Sequence, residues 1–368
     1  MTMPRWGTPP WRLAYRPPPA APPARCEVAV VGAGFTGLST ALHLAARGVR
    51  VAVLEAAHLG AGASGCTGGI PLEGTAVGAL PGVMCCLETL ARVVAEHEIA
   101  CDLRLDGCWE LSHRGGAGVT PLWTDDGQPL GIATTVPGGT VDPAALVDGL
   151  ARAAVAAGAT VCEGARVVGV ESGPPVTLAL ADATRVVADH LVLALNAFTP
   201  ALVPAGDGFA ALLTLGLCTA PLPARVHDAI GLGAGLPFYT ADLPYLWGRP
   251  TRDGSLILGA GLVPLSPHDP DRVGMRDPEV AAAFTHLETR VRRLHPALAE
   301  VTVTHRWGGP IAFRASRRPL LGRHPDLANV IVTGACAGHG IALGVRVGEM
   351  VAEAVVGNAE LPAWGRVA

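Results

Sequence analysis

The sequence predicts an α/β protein with two interleaved lobes, one built on a mainly parallel sheet and one, of α+β type, built on an antiparallel sheet. Its 368 residues exceed what a single hydrophobic core usually organises. Buried-strand and helix patterns alternate near both ends of the chain, and the middle contains a clear hairpin pattern. We therefore expect an N-terminal arm at 1–24, a first lobe from 25–75, 140–200 and 325–368, and a second lobe from 76–139 and 201–324.

The elements of the first lobe follow one another along the chain. An apolar run at 27–31 predicts a strand buried on both faces, helical spacing follows at 38–47, and a second buried strand is expected at 49–54. Asp142 and Pro143 are typical of an N-cap and a first helical position, so a helix should run from there to 157. The other expected elements are strands at 160–162, 166–171, 191–195 and 329–333 and a helix at 341–356.

The second lobe has weaker patterns. A helix is expected at 87–98 and a strand at 107–112. A hairpin is expected at 243–259, because Asp253 and Gly254 form a typical turn pair between two apolar runs.

Composition excludes several classes of function. A net charge of −4 without a basic cluster gives no footprint for nucleic acid or an anionic membrane, so a small molecule is the expected partner. Half of the residues are apolar, but glycine, proline or charge interrupts every run before roughly 18 residues, so no membrane span is expected. The arm is rich in proline and lacks an apolar signal region, which favours a cytoplasmic protein. The apolar fraction fits either an oligomer interface or a tightly packed core.

The lysine and cysteine content excludes further kinds of active site. All 27 basic residues are arginine, so a lysine Schiff base and a Walker-type phosphate site are both excluded. The nine cysteines are scattered without a C-x-x-C pair, and no histidine spacing completes a zinc site. Reduced thiols and no metal are expected.

The turn after the first strand carries a G-x-G-x-x-G pattern, with Phe35 and Thr36 between its last two glycines. Its strand, helix and second strand give the Rossmann-like context that the pattern requires. Gly32 would form the tight turn, Gly34 would let the backbone approach a pyrophosphate, and Gly37 would allow the helix to pack closely. Glu55, followed by Ala56, would bind ribose hydroxyls, and its negative charge disfavours a 2′-phosphate. A dinucleotide site is therefore predicted.

Two further glycine-rich segments bear on which dinucleotide is bound. The segment GAGASGCTGGI at 60–70 has backbone bare enough to approach both a pyrophosphate and a flavin edge, with Ser64 as an additional donor. A flexible surface loop is the alternative reading of this composition. The segment GACAGHGIALG at 334–344 would place a helix N-terminus beside the negative charge of a reduced flavin, or would be a structural turn.

In these three glycine-rich segments, the chain resembles the glycine oxidase, sarcosine oxidase and D-amino-acid oxidase superfamily of FAD enzymes. Within it, the chain is most similar to the gamma-glutamylputrescine oxidase branch. The segments that carry the resemblance are VVGAGFTGLSTALHL (30–44), VLEAAHLGAGASGCTGGI (53–70), IACDLRLDGCWEL (99–111), RWGGPIAFRASRRPLLGR (306–323) and GACAGHGIALG (334–344).

The resemblance implies an extended FAD and oxidation of a carbon–nitrogen bond, in which hydride passes from the carbon to the flavin and the imine is hydrolysed. It implies that the ADP half meets the turn at 32–37, Glu55 and Ala56, and that the diphosphate and ring edge meet Gly62, Ala63, Ser64, Cys66, Thr67, Gly68, Gly69 and Ile70. It also places Val167, Asn196 and Ala197 near the adenine half, and Gly338, His339, Gly340 and Ile341 near the pyrimidine and ribityl side.

This chain departs from the family pattern at two points. Relatives of the branch have Arg-Asn where this chain has Cys66 and Thr67, so the tip of the loop that faces the flavin has changed. Cys66 raises the possibility of a covalent flavin, but a non-covalent FAD with a spectator thiol is the expectation. The lysine that promotes reaction with dioxygen in sarcosine-type members is absent, which leaves His339, then an arginine, as the candidate cation. A dehydrogenase that uses another acceptor stays an alternative.

The substrate side is predicted from spacing and position. Tyr245, Trp247 and Arg249 alternate along one strand and would share a face, with the aromatics walling an amine pocket and the arginine pairing with a carboxylate. Lobe-to-lobe packing is the alternative reading. The further substrate candidates are Tyr239, Trp307, Arg317 and Arg318, and the catalytic candidates are His339, Tyr245 and Trp247. A non-catalytic FAD-binding subunit and an NAD-only dehydrogenase are the other functional classes that these residues leave open.

Overall fold

The computed structural model describes residues 5–114, 121–171, 173–206, 208–242, 245–265 and 272–365, and its strands form two sheets. The strands of the first sheet are β1 (Arg25–Val31), β2 (Val51–Leu54), β6 (Thr160–Cys162), β7 (Val167–Glu171), β8 (Val176–Leu180), β9 (Arg185–Leu193), β15 (Leu320–His324) and β16 (Leu327–Gly334). Those of the second are β3 (Cys108–Ser112), β4 (Pro121–Asp125), β5 (Gln128–Val136), β10 (Ala210–Thr219), β11 (Phe238–Thr240), β12 (Leu246–Pro250), β13 (Leu256–Pro264) and β14 (Val303–Phe313). The helices are α1 (Phe35–Ala45), α2 (Ala63–Cys66), α3 (Cys86–Glu96), α4 (Pro143–Ala156), α5 (Ala224–Ala229), α6 (Pro278–Leu294) and α7 (Ala342–Val355).

The first sheet has the order β15-β16-β9-β1-β2-β6, and β1 pairs in parallel with both of its neighbours. Along β1, Val28 and Val30 join the hydrophobic core under α1, α4 and α7, whereas Ala29 and Val31 join the core on the other face. Both faces of the strand are therefore buried, which is why the whole run is apolar. The predicted mixed α/β class is confirmed.

The sequence predicted the start of α4 correctly and the start of α1 less closely. Asp142 caps α4 by accepting a hydrogen bond from the amide of Ala145 at 3.0 Å, and Pro143 occupies the first helical position. The first helix begins at Phe35, three residues before the predicted start, because the turn of the fingerprint passes directly into it.

The second sheet has the order β14-β10-β13-β12-β11-β3-β5-β4. Its pairs are antiparallel, apart from β3 with β11, which run in parallel. The expected hairpin is present as β12 and β13, with Asp253 and Gly254 in the turn; Leu243 and Pro244, which begin the predicted segment, lie outside the described residues.

The N-terminal arm is extended as expected, but it packs firmly on the body of the protein. Trp6 is buried in the core shared by both sheets and stacks on Phe198 with ring centroids 6.2 Å apart. The Trp11 indole donates a hydrogen bond to the carbonyl of Gly65 at 2.7 Å. Farther along the arm, Asp148 of α4 accepts hydrogen bonds from the amides of residues 14 and 15. The arm therefore fastens the glycine-rich segment and α4 to the second sheet.

Among the described residues, no helix has both the length and the apolar character to cross a membrane.

Candidate functional site

A large cavity of about 1230 Å³ is lined by residues of both sheets. This volume exceeds the roughly 300–1,000 Å³ of a site for one drug-sized ligand, so it can hold a dinucleotide together with a small substrate. Of the predicted cofactor residues, those that line it are Gly32, Gly34, Phe35, Thr36, Glu55, Ala56, Gly62, Ala63, Ser64, Cys66, Thr67, Gly68, Ile70, Val167, Asn196, Gly338, His339, Gly340 and Ile341. Gly37, Gly69 and Ala197 do not line the cavity.

The turn between β1 and α1 has the close packing that the fingerprint predicts. Gly32 has a φ of +105°, and a Cβ there would lie 2.6 Å from the carbonyl oxygen of Ala194. A Cβ on Gly37 would overlap the Gly32 carbonyl oxygen, so this glycine lets the helix start directly beneath the turn. The N-terminus of α1 consequently opens into the cavity, where its amides and dipole suit a phosphate.

The glycine-rich segment at 60–70 folds against this helix N-terminus. Ser64 accepts a hydrogen bond from the amide of Phe35 at 3.0 Å, and a Cβ on Gly34 would lie 2.7 Å from the Ser64 hydroxyl oxygen. The segment contains the short helix α2, so it is an ordered wall and the reading as a flexible surface loop is wrong.

Glu55 stands at the end of β2 beside this turn. One carboxylate oxygen accepts from the amide of Ala33 and the other from the amide of Ala57, each at 2.9 Å. These bonds fix the carboxylate at the rim of the cavity, as expected of a ribose-binding residue.

Asn196 follows β9 and adds a polar group to the same end. Its side-chain oxygen is buried and has no hydrogen-bond partner among the described residues, although the residue lines the cavity. Buried amides are normally satisfied, so this atom is available to a donor on a ligand.

The C-terminal glycine-rich turn lies between β16 and α7. His339 lines the cavity, and its Nδ1 is 3.4 Å from the carbonyl oxygen of Ala337. Burial lowers the pKa of His339, so its neutral form prevails at neutral pH. This finding disfavours His339 as the cation near the flavin.

A row of residues crosses the second sheet on the face toward the cavity. Strand register aligns, in order, Glu110 on β3, Tyr239 on β11, Trp247 on β12, Gly259 on β13, Gly216 on β10 and Trp307 on β14. Side chains opposite one another in register share a face, so this row is one continuous surface.

The two glycines of the row make room for the two indoles. A Cβ on Gly259 would overlap the Trp247 ring, and a Cβ on Gly216 would lie 2.6 Å from Cζ2 of Trp307. Both indoles then reach the glycine-rich segment, since the Trp247 ring packs on Gly68 and Trp307 donates to the Cys66 carbonyl at 2.8 Å. The requirement for bare backbone at 68 is thus a packing requirement from Trp247.

The predicted aromatic wall is present. Tyr239, Tyr245 and Trp247 all line the cavity, and the Tyr245 hydroxyl lies 2.9 Å from the hydroxyl of Thr214. Burial raises the pKa of Tyr245, and burial together with the hydrogen bond to Glu110 raises the pKa of Tyr239. Both phenols are therefore protonated.

Arg249 and Trp307 lie elsewhere than the substrate roles require. Arg249 is only 9% exposed, and it donates through Nε to the Gly68 carbonyl at 2.7 Å and through Nη2 to the Val141 carbonyl at 3.3 Å. Neither residue lines the cavity. Alternation along the strand correctly placed Arg249 on the same face of the sheet as Trp247. Its guanidinium does not enter the cavity, because it binds the glycine-rich segment at the Gly68 carbonyl.

The two arginines after β14 differ from each other. Arg317 lines the cavity, whereas Arg318 is exposed outside it. Sequence reasoning missed Arg314, Arg5 and Glu110, which also line the cavity. Glu110 and Arg314 had a sequence signal, because each lies within a segment that carries the family resemblance.

Among the described residues, no three His, Cys, Asp or Glu side chains come together as metal ligands.

The fold and this cavity define a flavin-dependent oxidoreductase, and comparison with known proteins gives its family. Residues 27–354 match the family model described as "FAD dependent oxidoreductase" (DAO), and the chain belongs to this family. The resemblance noted from the sequence is therefore confirmed.

Among its relatives, the probable oxidoreductase OrdL of Haemophilus influenzae is 28% identical over 93% of this chain and 86% of its own length. The gamma-glutamylputrescine oxidoreductase of Escherichia coli is 27% identical over 91% of this chain and 84% of its own length. Two solved structures share the fold. Glycine oxidase from Geobacillus kaustophilus has a TM-score of 0.75 at 20% identity and covers 94% of this chain and 99% of its own. L-proline dehydrogenase from P. horikoshii has a TM-score of 0.67 at 19% identity, covering 93% and 97%.

The residues present fit FAD. The missing Cβ of Gly34 leaves space for the Ser64 hydroxyl, two amides fix the Glu55 carboxylate where the resemblance expects a ribose, and the buried side-chain oxygen of Asn196 has no hydrogen-bond partner among the described residues. At the other end, Gly68 and the turn at 338–341 line the space next to the aromatic wall.

Proposed function

We propose that this enzyme oxidises a carbon–nitrogen bond of a small amine or amino acid, releases the imine for hydrolysis by water, and passes the electrons to dioxygen. The observation that carries the proposal is the continuity of one cavity from the turn at 32–37 to the wall formed by Tyr239, Tyr245 and Trp247. The names of the relatives, among them a gamma-glutamylputrescine oxidoreductase and a glycine oxidase, support the amine class.

In this proposal, the predicted cofactor residues that line the cavity hold FAD, which supplies a hydride acceptor. Glu55 binds the ribose hydroxyls, and the amides at the N-terminus of α1 with Ser64 bind the diphosphate. Arg249 and Trp307 act as positioning residues, because each holds a backbone carbonyl of the segment at 66–68 from outside the cavity.

The protonation of the cavity side chains bears on the substrate. Tyr239 and Tyr245 have raised pKa values and His339 has a lowered one, so all three are neutral near pH 7. None of them is a strong proton acceptor. We therefore propose that the amine reacts in its neutral form, oriented by the aromatic wall, and that kcat/KM rises with pH as the amine deprotonates.

Reaction with dioxygen is assisted by a nearby positive charge. Because His339 is neutral, we assign that charge to Arg317, which lines the cavity. The alternative is a dehydrogenase that uses another acceptor, and the neutral state of His339 favours it.

The proposed FAD is non-covalent. Burial raises the pKa of Cys66 to about 12, so a reactive thiolate is scarce at neutral pH. Acid precipitation of the holoenzyme should leave all the FAD in the supernatant; flavin that stays with the precipitate of the wild type but not of Cys66→Ser would contradict this.

The experiment that tests the function is anaerobic absorbance of the purified protein during mixing with amines and amino acids, followed by admission of air. Bleaching of the flavin band by one substrate class with prompt recovery in air is the expected result. Recovery only with an artificial acceptor would show a dehydrogenase. A flavin band that no amine or amino acid bleaches would refute the proposed reaction and favour a non-catalytic flavoprotein, and a protein that cannot be loaded with FAD would contradict the cofactor assignment.

A further inference from the structure

We propose that Glu110 and Tyr239 form a cation-binding subsite at the far end of the cavity, and that the substrate is an amine with a second positively charged group, such as a diamine. This inference deepens the proposed function and rests on it, because it takes the end of the cavity at Trp247 as the place where the amine reacts.

The geometry of the pair presents a carboxylate to the cavity. Both side chains line the cavity, and the Tyr239 hydroxyl donates a hydrogen bond to Oε2 of Glu110 at 2.7 Å. That bond is the only polar contact of the Glu110 side chain to the described part of the chain. Tyr239 therefore orients the carboxylate, and the remaining lone pairs are directed at whatever occupies this end of the cavity.

The surroundings of Glu110 favour a cation over an anion. The cavity-lining residues next to Glu110 and Tyr239, along the chain or across the paired strands, are Val136, Pro137, Thr240 and Ala241, and none of these is basic. Glu73, whose amide donates to the Pro137 carbonyl, adds negative charge, and its oxygens accept from the amides of Gly74, Cys86 and Leu87. Glu110 accepts one hydrogen bond, so it has more free lone pairs for a ligand than Glu73.

The arginines that line the cavity lie in other parts of the fold. Arg314 and Arg317 follow β14, which four strands separate from β3 in the second sheet. Arg166 directly precedes β7 of the first sheet, and Arg5 lies on the arm next to Trp6, whose ring its guanidinium faces at 4.2 Å. A positive charge on the substrate would therefore find its partner in Glu110.

The register of the sheet sets the length of the substrate. Glu110 and Trp247 are two strands apart in the row, which is about 10 Å at the usual strand spacing. Trp247 packs on Gly68, where the flavin edge is expected. The second cationic group should then lie on the order of 6–10 Å from the reacting amine, along the faces of Tyr239 and Trp247, which can themselves attract a cation.

Paired substrates test the subsite directly. The holoenzyme is assayed with α,ω-diaminoalkanes of about four to eight carbons, with n-alkylamines of the same length and with ω-amino carboxylates of the same length. A charge-assisted contact predicts about 10- to 100-fold higher kcat/KM for the diamine than for the monoamine, mainly through KM. The amino carboxylate should be the poorest of the three, because Glu110 repels it.

Two variants and one control test whether Glu110 and Tyr239 cause the preference for the diamine. Glu110→Gln keeps the shape and removes the charge, so the ratio of kcat/KM for the diamine to kcat/KM for the monoamine should fall to about one, and the amino carboxylate should improve relative to both. Tyr239→Phe should reduce the preference only in part. The matched control is Glu98→Gln, which removes one charge from an exposed residue outside the cavity and should change nothing. Equal use of diamine and monoamine by the wild type, or a diamine preference that survives in Glu110→Gln, would overturn the subsite.

A binding measurement distinguishes failure of the proposed oxidation from failure of the subsite. If no amine bleaches the flavin, binding of the diamine is followed by the shift of the flavin spectrum, or by calorimetry of the holoenzyme. Diamine binding that Glu110→Gln weakens at least tenfold would support the subsite while the oxidation itself is refuted. Binding that is absent, or equal in both proteins, would overturn the subsite as well.

Discussion

A buried ion pair connects the edge of the second sheet to the aromatic wall. Asp125 at the end of β4 and Arg290 on α6 have side chains 1% and 2% exposed, and they are joined by two hydrogen bonds of 2.7 and 2.6 Å. His113 lies 2.9 Å from the same carboxylate, and Arg290 also donates to the backbone carbonyl of Tyr245 at 3.1 Å. The substitution Asp125→Asn would remove the negative charge that faces the buried Arg290 guanidinium.

The expected cost is large. Removing one partner of a buried, hydrogen-bonded pair costs about 3–5 kcal/mol, because the other charge stays desolvated. For 368 residues unfolding in one step, the usual entropy of unfolding converts this to a fall in Tm of about 4–6 °C. Asp126→Asn is the matched control, since Asp126 is exposed in the adjoining turn, and it should change stability by less than about 0.5 kcal/mol.

The pH dependence gives an independent check. Burial alone would raise the pKa of Asp125, but Arg290 and then His113 outweigh it and hold the pKa below its ordinary value. The carboxylate therefore stabilises the fold fully above about pH 4, the value for an unfolded aspartate, and this contribution disappears as the pH falls toward the folded pKa. Thermal unfolding of the holoenzyme between about pH 7 and pH 3 should show the gap between wild type and Asp125→Asn narrowing on acidification. A gap below about 0.5 kcal/mol at pH 7, or one that widens in acid, would refute the reasoning.

Two further predictions concern the support of the glycine-rich segment. Gly259→Ala places a methyl group in the volume of the Trp247 ring, and such overpacking should cost about 1–3 kcal/mol and raise the Kd for FAD about tenfold in a fluorescence titration. Gly169→Ala is its control, because a Cβ there would make only an ordinary contact with the Cβ of Ala179 at 3.7 Å; equal FAD affinity in the two variants would contradict the prediction. Trp11→Phe removes the hydrogen bond to Gly65 and should lower stability by about 0.5–1.5 kcal/mol and speed FAD release. An unchanged rate of release would show that the arm does not brace this segment.

The cofactor end of the site could be predicted because its determinants are close in sequence. Gly32, Gly34 and Gly37 lie in one strand-turn-helix pattern. Within it the Gly32 carbonyl constrains Gly37, whereas Gly32 and Gly34 are constrained by Ala194 and Ser64 from other segments. Asp142 likewise caps α4 by contact with a residue three positions away. Such short-range rules need no knowledge of the tertiary structure.

The substrate end could not be predicted in the same way. Spacing along β12 put Trp247 and Arg249 on one face, but it could not show that Arg249 would turn under the glycine-rich segment and bond to Gly68. The row from Glu110 to Trp307 joins six strands whose residues are far apart in the sequence, so its register depends on bulges such as the one between Thr214 and Leu215. Bulges shift which residues face the cavity, and no pattern in the sequence predicted the bulge at Thr214.

The same row explains how cofactor binding and substrate choice can be separated in this fold. Trp247 and Trp307 pack on glycines and contact the backbone of the glycine-rich segment, which we propose faces the flavin, so packing fixes their positions. At the other end, the Glu110 carboxylate lines the cavity and is hydrogen-bonded only to Tyr239 within the described part of the chain, so we expect its charge to change without moving that backbone. A substitution at Glu110 should therefore alter which amine is accepted while the flavin spectrum stays the same, whereas a substitution under either indole should alter both.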